Sequence, residues 1–384
     1  MKIAVVHSRY KEQLPSGENV VVDLQVEALR RAGHEVKVFF RTTPTSATSI
    51  GFKIAAGVRV ATGVGTNPLS DIEKFNPNVI HVHNLFPNFS SSWLRHSAFP
   101  IVVSIHNFRA ICASGTFFRD GKPCYLCLEG KSSIPALKHA CYQNSVVATL
   151  PLVWANRKQG ANGSVVSAAK KILVLNAESK KLFAEAGWPN QKMEVLPNFI
   201  PDNLADYSAR VSSRQGKSSW IYAGRFSEEK GILELLEDWP ASQKLRLAGD
   251  GPQLKQVLEL AKSNTAIEYL GKISREQVIA EIARSKGLIF PSIWMEGLAL
   301  TCIEATSVGC PIIARRGNAA ASAVLAHNLG AVYDKGIDLG DALAQVEQRS
   351  SYFGNSAREY YERTFSEPAW TSNILRVYKD ATNE

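Results

Sequence analysis

The stretch KIAVVHSRYKEQLPSGENVVVDLQVEALRRAGHEVKVFF, residues 2–40, decides the fold class. Lys2 to His7 is a short apolar run of the kind that forms a strand buried on both faces. Pro15-Ser-Gly-Glu18 is a loop signal. From Asn19 to Ala32 the apolar residues Val22, Val26 and Leu29 recur at helical spacing, and Gly33 stands where a helix stops. Glu35 to Phe40 is again a strand. A strand–helix–strand unit of this length requires a parallel sheet, because the helix carries the chain back to the starting edge.

The same alternation continues outward. Strands are predicted at Asn78–His83, Pro100–Ile105, Lys171–Leu175 and Glu194–Leu196. The segment 197–217, with its prolines and serines, is predicted to link two domains. A second series follows at Ser219–Ala223, Lys244–Ala248, Ile267–Leu270, Gly287–Phe290 and Pro311–Ala314. The fold expected is α/β: two doubly wound, Rossmann-like domains of residues 1–198 and 199–366. Residues 367–384 are expected to form a helix packing back toward the N-terminal domain. Such sheets bind ligands outside the carboxyl ends of their strands, so the sequence predicts a cleft there.

The chain has 384 residues and a net charge of +9. Up to Val195 there are 23 basic and 12 acidic residues, a net +11, and the remainder carries −2. A basic first half attracts phosphates, nucleic acid or an anionic membrane. No apolar run reaches the ~18–20 residues of a membrane span. The longest candidate, Val146 to Ala155, is expected to be interrupted at Pro151. Nothing after Met1 resembles a signal peptide, and the expected location is cytoplasmic, with reduced cysteines.

The strongest constellation is Pro-Ser-Ile-Trp-Met-Glu-Gly-Leu-Ala-Leu-Thr-Cys-Ile-Glu-Ala-Thr-Ser-Val-Gly-Cys-Pro-Ile-Ile-Ala, residues 291–314. A strand runs into a loop with Glu296 and Gly297. A helix is predicted to start near Leu298 or Ala299 and to carry Glu304. Free N–H groups at that helix start can hold an anion, and Gly297 admits close approach to the backbone. Two carboxylates beside an anion site suit sugar hydroxyls. A second string, Tyr222-Ala-Gly-Arg-Phe-Ser-Glu-Glu-Lys-Gly231, places Arg225 and Lys230 in a loop after a strand, where two cations suit a diphosphate.

These strings resemble the signature of retaining, GT-B-fold glycosyltransferases of family 4, and the resemblance covers essentially the full length. It implies that Glu296 contacts the transferred sugar and Glu304 the ribose hydroxyls, while Arg225 and Lys230 hold the donor diphosphate. Gly17 takes the place of a glycine pair near the donor phosphate, and His106, at a strand end, contacts the donor sugar. The resemblance makes Glu296, His106, Arg225 and Lys230 the expected catalytic group. Gly17, Arg225, Lys230, Gly297, Leu298 and Glu304 are the expected donor-binding group. Asn198 matches the family's inter-domain Pro-Asn element. One departure is that residues 317–324 lack the glutamate often found after the Pro-Ile-Ile-Ala string.

Expected partners are a UDP- or GDP-sugar donor, a glycan or lipid-linked acceptor, and an anionic membrane surface at the inner face of the cytoplasmic membrane. The implied process is bacterial surface-polysaccharide synthesis. No Asp-x-Asp pair suits a bridging magnesium ion, so no catalytic cofactor is expected. Asn107, Arg109, Arg119 and Lys122 are the acceptor-side candidates. The loop 107–142 also holds Cys112, Cys124, Cys127 and Cys141. This spacing is compatible with a structural four-thiolate zinc site, with a redox pair, or with ordinary small residues. A nucleotide-sugar epimerase on the same fold is the alternative enzyme. A basic zinc-containing nucleic-acid-binding protein is the alternative outside enzymes, and it leaves Glu296, Glu304, Arg225 and Lys230 without a role.

Overall fold

The structure is a computed structural model. It describes residues 1–9, 17–44, 49–203, 205–208, 218–296, 299–334 and 338–383. Part of the segment read as a linker, 204 and 209–217, therefore lies outside the described residues, as do Gly297 and Leu298.

Fourteen strands are described, in chain order β1 (Lys2–Arg9), β2 (Glu35–Thr42), β3 (Val79–Asn84), β4 (Ile101–Ile105), β5 (Phe118–Arg119), β6 (Lys122–Pro123), β7 (Lys171–Val174), β8 (Met193–Val195), β9 (Ser219–Ala223), β10 (Lys244–Ala248), β11 (Ile267–Gly271), β12 (Leu288–Phe290), β13 (Ile312–Arg315) and β14 (Gly330–Tyr333). Twelve of them form two six-stranded sheets, ordered β2-β1-β3-β4-β7-β8 and β11-β10-β9-β12-β13-β14, with every pairing parallel. The fold is α/β and doubly wound, as the opening forty residues require.

The chain divides into two compact units, and neither is one continuous segment. The first holds Met1–Phe117, Cys124–Asn198 and Trp370–Glu384, and the second holds Phe118–Pro123 and Phe199–Ala369. In the first unit β1 is apolar throughout its middle, and Ile3, Ala4, Val5 and Val6 are all buried. The helix Gly17–Arg31 covers it through Val22, Val26 and Leu29. The last helix, Glu367–Thr382, buries Trp370, Ile374, Val377 and Tyr378. The Tyr378 hydroxyl hydrogen-bonds His81 Nδ1 of β3 at 2.7 Å. Asn198 is buried and its carbonyl oxygen accepts from Gln25 Nε2 at 3.3 Å.

Four details differ from the sequence reading. Pro151 does not interrupt its segment: Val146–Ala155 is one helix, with Ser145 Oγ accepting from Ala148 N as its cap. The loop 107–142 contains two short helices, Leu126–Glu129 and Ile134–Lys138, and the hairpin of β5 and β6. That hairpin groups with the second unit although the rest of the loop belongs to the first. Finally, β14 has no counterpart in the reading, because Gly-Ala-Val-Tyr is too short and too weakly patterned to stand out.

Candidate active site

In the second sheet the strand order reverses between β9 and β12, and the motif residues follow those two strands. That is the topological switch point, where the connections leave in opposite directions and open a crevice. Tyr222, buried in β9, donates its hydroxyl to the Arg225 carbonyl at 2.8 Å and so fixes the turn. Phe226 is fully buried, which tethers the loop from below. Gly249 in the neighbouring loop has φ +149°, and a Cβ there would stand 1.9 Å from the Gly224 carbonyl oxygen. The two loops can touch only because that residue lacks a side chain.

Beyond Phe226 a 3₁₀ turn, Glu228–Lys230, ends at Gly231 with φ +66°. A Cβ on Gly231 would lie 2.4 Å from the Pro291 carbonyl oxygen. Ile293 N donates to Glu229 O at 2.9 Å, so the loops after β9 and β12 are joined backbone to backbone. This brings Lys230 onto Glu296. Their ion pair is supplemented by Ser292 Oγ and Trp294 Nε1, each donating to Glu296 Oε1 at 2.8 Å. Lys230 also lies over the Trp294 ring, 5.6 Å from its centroid. Asn318 holds the loop from behind, donating to Ser292 O at 2.7 Å while accepting from Ala321 N at 2.9 Å.

The helix after this loop is Leu300–Ser307, with Ala299 as its cap. It starts one or two residues later than the sequence suggests. Glu304 is buried on it and accepts from Arg275 Nε at 2.7 Å. Burial raises its carboxyl above the usual range, and Arg275 opposes the rise. Burial likewise raises the Cys302 thiol, and the charges of Glu296, Lys230 and Glu304 all act on it. Arg225 is exposed, and among the described residues its guanidinium has no hydrogen bond or ion pair.

The first unit has its own switch point, between β1 and β3. Four histidines gather on β1, β3 and at the end of β4. The His83 and His106 rings stack with centroids 5.3 Å apart, and His83 Nδ1 bonds His106 Nε2 at 3.0 Å. His81 lies 4.1 Å from His83, and His7 meets His83 edge-on at 6.3 Å. Burial, with the neighbouring imidazoles, pushes His81 and His106 down to about 3 and His83 well below its ordinary value, and burial with the charge of Arg9 lowers His7.

Glu18 stands beside this row, Oε1 4.0 Å from His7 Nδ1. Burial pushes its carboxyl up to about 7, against the pull of Asn84, Arg109 and Asn107. Glu18 Oε1, His7 Nδ1 and Arg109 Nε are buried without hydrogen-bond partners among the described residues. Gly17 is the first residue of the helix that carries Glu18. Asn107 accepts from Arg109 N at 3.0 Å, and the Arg109 guanidinium lies 4.5 Å from the centroid of Phe86. The sequence reading missed Glu18, His83 and Asn84. The signal was there: His81-Val-His83-Asn84 closes a strand beside the switch point, and Glu18 follows Gly17.

Arg119 and Lys122 group with a different unit from Asn107 and Arg109. They lie on the β5–β6 hairpin, which belongs to the second unit, and Arg119 pairs with Asp120 at 3.1 Å. A Cβ at the hairpin's Gly121 would stand 3.0 Å from Glu228 Oε1, so the hairpin turn lies against the loop of Arg225 and Lys230.

Burial pushes the Cys127 thiol up to about 11, and Cys112, Cys141 and Cys124 all add to the rise. Yet among the described residues no three His, Cys, Asp or Glu side chains are placed to hold a metal ion. Cys127 and Cys141 pack against Ala113, Ala136 and Leu152. The loop is clamped by amides instead. Gln159 Nε2 donates to Cys127 O and Leu128 O at 2.7 and 2.9 Å, and Asn156 Nδ2 donates to Arg109 O at 2.6 Å.

Two Rossmann-type units, the second with paired cations and carboxylates at its switch point, define the GT-B class. Comparison with known proteins places the chain within it. The profile described as Glycosyltransferase Family 4 matches residues 15–204, and that described as Glycosyl transferases group 1 matches residues 206–364. The chain belongs to the family 4 glycosyltransferases.

Among curated proteins it is 28% identical over 157 residues to the amylovoran biosynthesis glycosyltransferase AmsD of Erwinia amylovora, covering 38% of this chain and 43% of that one. It is 24% identical over 216 residues to the GDP-mannose-dependent alpha-(1-6)-phosphatidylinositol monomannoside mannosyltransferase of Mycobacterium tuberculosis, covering 49% and 56%. The chain thus spans about half the length of the curated relatives it matches. Among solved structures, Anabaena HepE in complex with UDP superposes with a TM-score of 0.64 at 14% identity, covering 98% of this chain and 99% of that one. The apo form of the lipopolysaccharide outer core galactosyltransferase WaaB gives 0.63 at 15% identity, covering 98% of each.

Proposed function

We propose that this chain is a retaining glycosyltransferase that moves a sugar from a nucleoside-diphosphate sugar to a hydroxyl of a glycan or lipid-linked acceptor, in polysaccharide or glycolipid assembly. The observation that carries the reading is the Lys230–Glu296 pair at the second switch point, with the exposed Arg225 beside it. A ligand bearing both a diphosphate and sugar hydroxyls complements that arrangement. Arg225 forks onto phosphate oxygens, Lys230 turns from Glu296 to the phosphate, and Glu296 accepts from a sugar hydroxyl. Glu304 accepts from the ribose.

In the reaction the bond between the anomeric carbon and the phosphate oxygen breaks, and a bond from that carbon to the acceptor oxygen forms on the same face. The acceptor's proton goes to the departing phosphate oxygen, so no protein nucleophile is required. The growing diphosphate charge is stabilised by Arg225, Lys230 and the N–H groups at the start of Leu300–Ser307. This route needs no catalytic metal. On the acceptor side stand Glu18, Asn107 and Arg109, and His106 contacts the donor sugar. Arg119 and Lys122 offer cations to a phosphate-bearing acceptor. Support for the donor class comes from the UDP bound by HepE and the GDP-mannose dependence of the mycobacterial relative. The names of the Erwinia relative and of WaaB support the polymer-building role. The site of action follows as the cytoplasmic face of the membrane.

The test is a melting screen with UDP, GDP and their common sugar conjugates, followed by NMR of the product. A cognate nucleotide at a hundred times its Kd should stabilise the protein by about 2.7 kcal/mol. Glu304→Ala should weaken the nucleoside diphosphate far more than inorganic diphosphate. If no nucleotide raised the melting temperature, the donor reading would fail. An inverted anomeric centre in the product would refute retention alone.

A further inference from the structure

The helix that carries Glu304 has little in its own sequence to hold it in place. Leu300–Ser307 has eight residues, about two turns, and Ala299 caps it without a side-chain hydrogen bond. So short a helix is not stable alone, and its last carbonyls find no partners within it. Its carboxyl end is held from outside, by the stretch of chain that opens the second unit. Ile200 packs on Ile303, the neighbour of Glu304, in a cluster with Tyr361 and Phe365. Asp202 and Asn203 then reach the end of the helix itself.

Asn203 Nδ2 donates to Ser307 Oγ at 3.0 Å, and Ser307 Oγ donates to Glu304 O at 2.8 Å. One buried hydroxyl joins the entering chain to the backbone of Glu304. Beside it stands Arg358, buried on the helix Ser350–Thr364. It donates to Ser307 O at 2.5 Å and forks onto the two Asp202 oxygens at 2.7 and 2.8 Å. A cation there also complements the negative end of the helix dipole. The Tyr207 ring lies against this guanidinium, 4.9 Å away, and the Tyr361 hydroxyl donates to Ile200 O at 3.0 Å. Just past the helix, Gly309 has φ +61°, and a Cβ there would stand 2.9 Å from Tyr207 Cε2. The entering chain and the helix end are in close contact along their whole meeting.

We propose that Asn203, Ser307 and the Asp202–Arg358 pair are positioning residues for Glu304, and through it for the nucleoside of the donor. They act on the helix and not on the ligand. By fixing its carboxyl end they set where the Glu304 carboxylate stands, and Arg275 Nε, at 2.7 Å, orients that carboxylate. The inference rests on the reading that Glu304 accepts from the ribose. Arg225 and Lys230 stand on a different loop, after β9, so a small displacement of the helix changes the grip on the nucleoside more than the grip on the diphosphate.

The experiment is calorimetry of the full chain with UDP, GDP and inorganic diphosphate, run as a double-mutant cycle of Asn203→Ala and Glu304→Ala. Asn203→Ala should weaken the nucleotide that the wild type binds by roughly three- to tenfold, one hydrogen bond's worth, and inorganic diphosphate by less than about twofold. Added to Glu304→Ala, it should cause little further loss, because the group it positions is gone. Asn203→Asp keeps the shape but lacks the donor N–H, and should behave like the alanine variant. Arg358→Met should weaken the nucleotide further, and Arg358→Lys should not restore it, since lysine lacks the fork. Asn203 is only half-buried, so its variants decide the matter even if Arg358→Met fails to fold. Unchanged nucleotide affinity in Asn203→Ala would overturn this inference alone, provided Glu304→Ala shows a loss. So would an equal loss in both backgrounds, which is what a merely structural contact gives. A Glu304→Ala variant that bound the nucleotide like wild type, or a wild type that bound neither nucleotide, would overturn the ribose reading and this inference with it.

Discussion

Arg225 and Lys230 were expected to act alike, and the structure separates them. Lys230 is held by Glu296, whereas Arg225 is exposed and has no partner among the described residues. Arg225→Ala should therefore weaken nucleoside diphosphate binding by roughly ten- to a hundredfold, from a lost contact of about 1.5–3 kcal/mol, and leave the melting temperature of the free protein unchanged. Lys230→Ala should weaken binding and also lower that melting temperature. It removes the lysine paired with the buried Glu296 carboxylate, which Ser292 and Trp294 still hydrogen-bond. Calorimetry and a melting curve on each variant check the pair of outcomes. Equal melting shifts for the two would show that the ion pair contributes nothing to the free protein.

At the level of elements, the long loop 107–142 is clamped by side-chain amides. Gln159 donates to two carbonyls at the Cys127 turn, and its own carbonyl accepts from Trp188 Nε1 at 2.9 Å. Gln159→Ala should cost about 1–3 kcal/mol, since it strips buried carbonyls of their donor. Thermal melting reads the loss, and faster amide exchange over 124–130 localises it. Replacing Cys124 by Ser should cost less. Eleven of the twelve sheet strands were legible because they are short apolar runs between turn residues, and β14 was not, because Gly-Ala-Val-Tyr is short and weakly patterned. The Glu296 and Lys230 loops were legible because their residue types are unusual together. Glu18 was not, since nothing in Gly-Glu-Asn says that the carboxylate will be buried beside histidines from two other strands. The continuity of Val146–Ala155 was hidden too, because Pro151 is accommodated by packing on Gly57, a contact far away in sequence.

For the whole molecule, the buried histidines set how stability varies with pH. His81 and His106 are held near 3 and His83 well below its ordinary 6.5, so in the folded chain they stay neutral where the unfolded chain takes up protons. Their contribution is complete above about 6.5 and is lost as pH falls from there toward 3, by up to about 1.4 kcal/mol per pH unit for each. Glu18 has the opposite sign. Its folded value of about 7 lies above the ordinary 4.5, so its contribution is present below 4.5 and lost as pH rises through 7. Three histidines outweigh one carboxyl, and denaturant midpoints should fall between pH 6.5 and 5. The fall should become shallower in His83→Asn and steeper in Glu18→Gln. A midpoint flat across that range would contradict the burial of the cluster.

The last helix has a consequence for how the protein is made. Trp370, Ile374, Val377 and Tyr378 complete the first unit, yet the ribosome reaches them only after the entire second unit has been synthesised. The first unit must therefore wait, with the pocket for those side chains open and His81 lacking its tyrosine partner. A fragment of residues 1–198 should express as an aggregate or a loosely packed species. Adding a peptide of residues 367–383 should convert it to a cooperatively melting one. The nascent chain thus spends most of its synthesis with an unfinished hydrophobic core, a period in which a holding chaperone has something definite to bind.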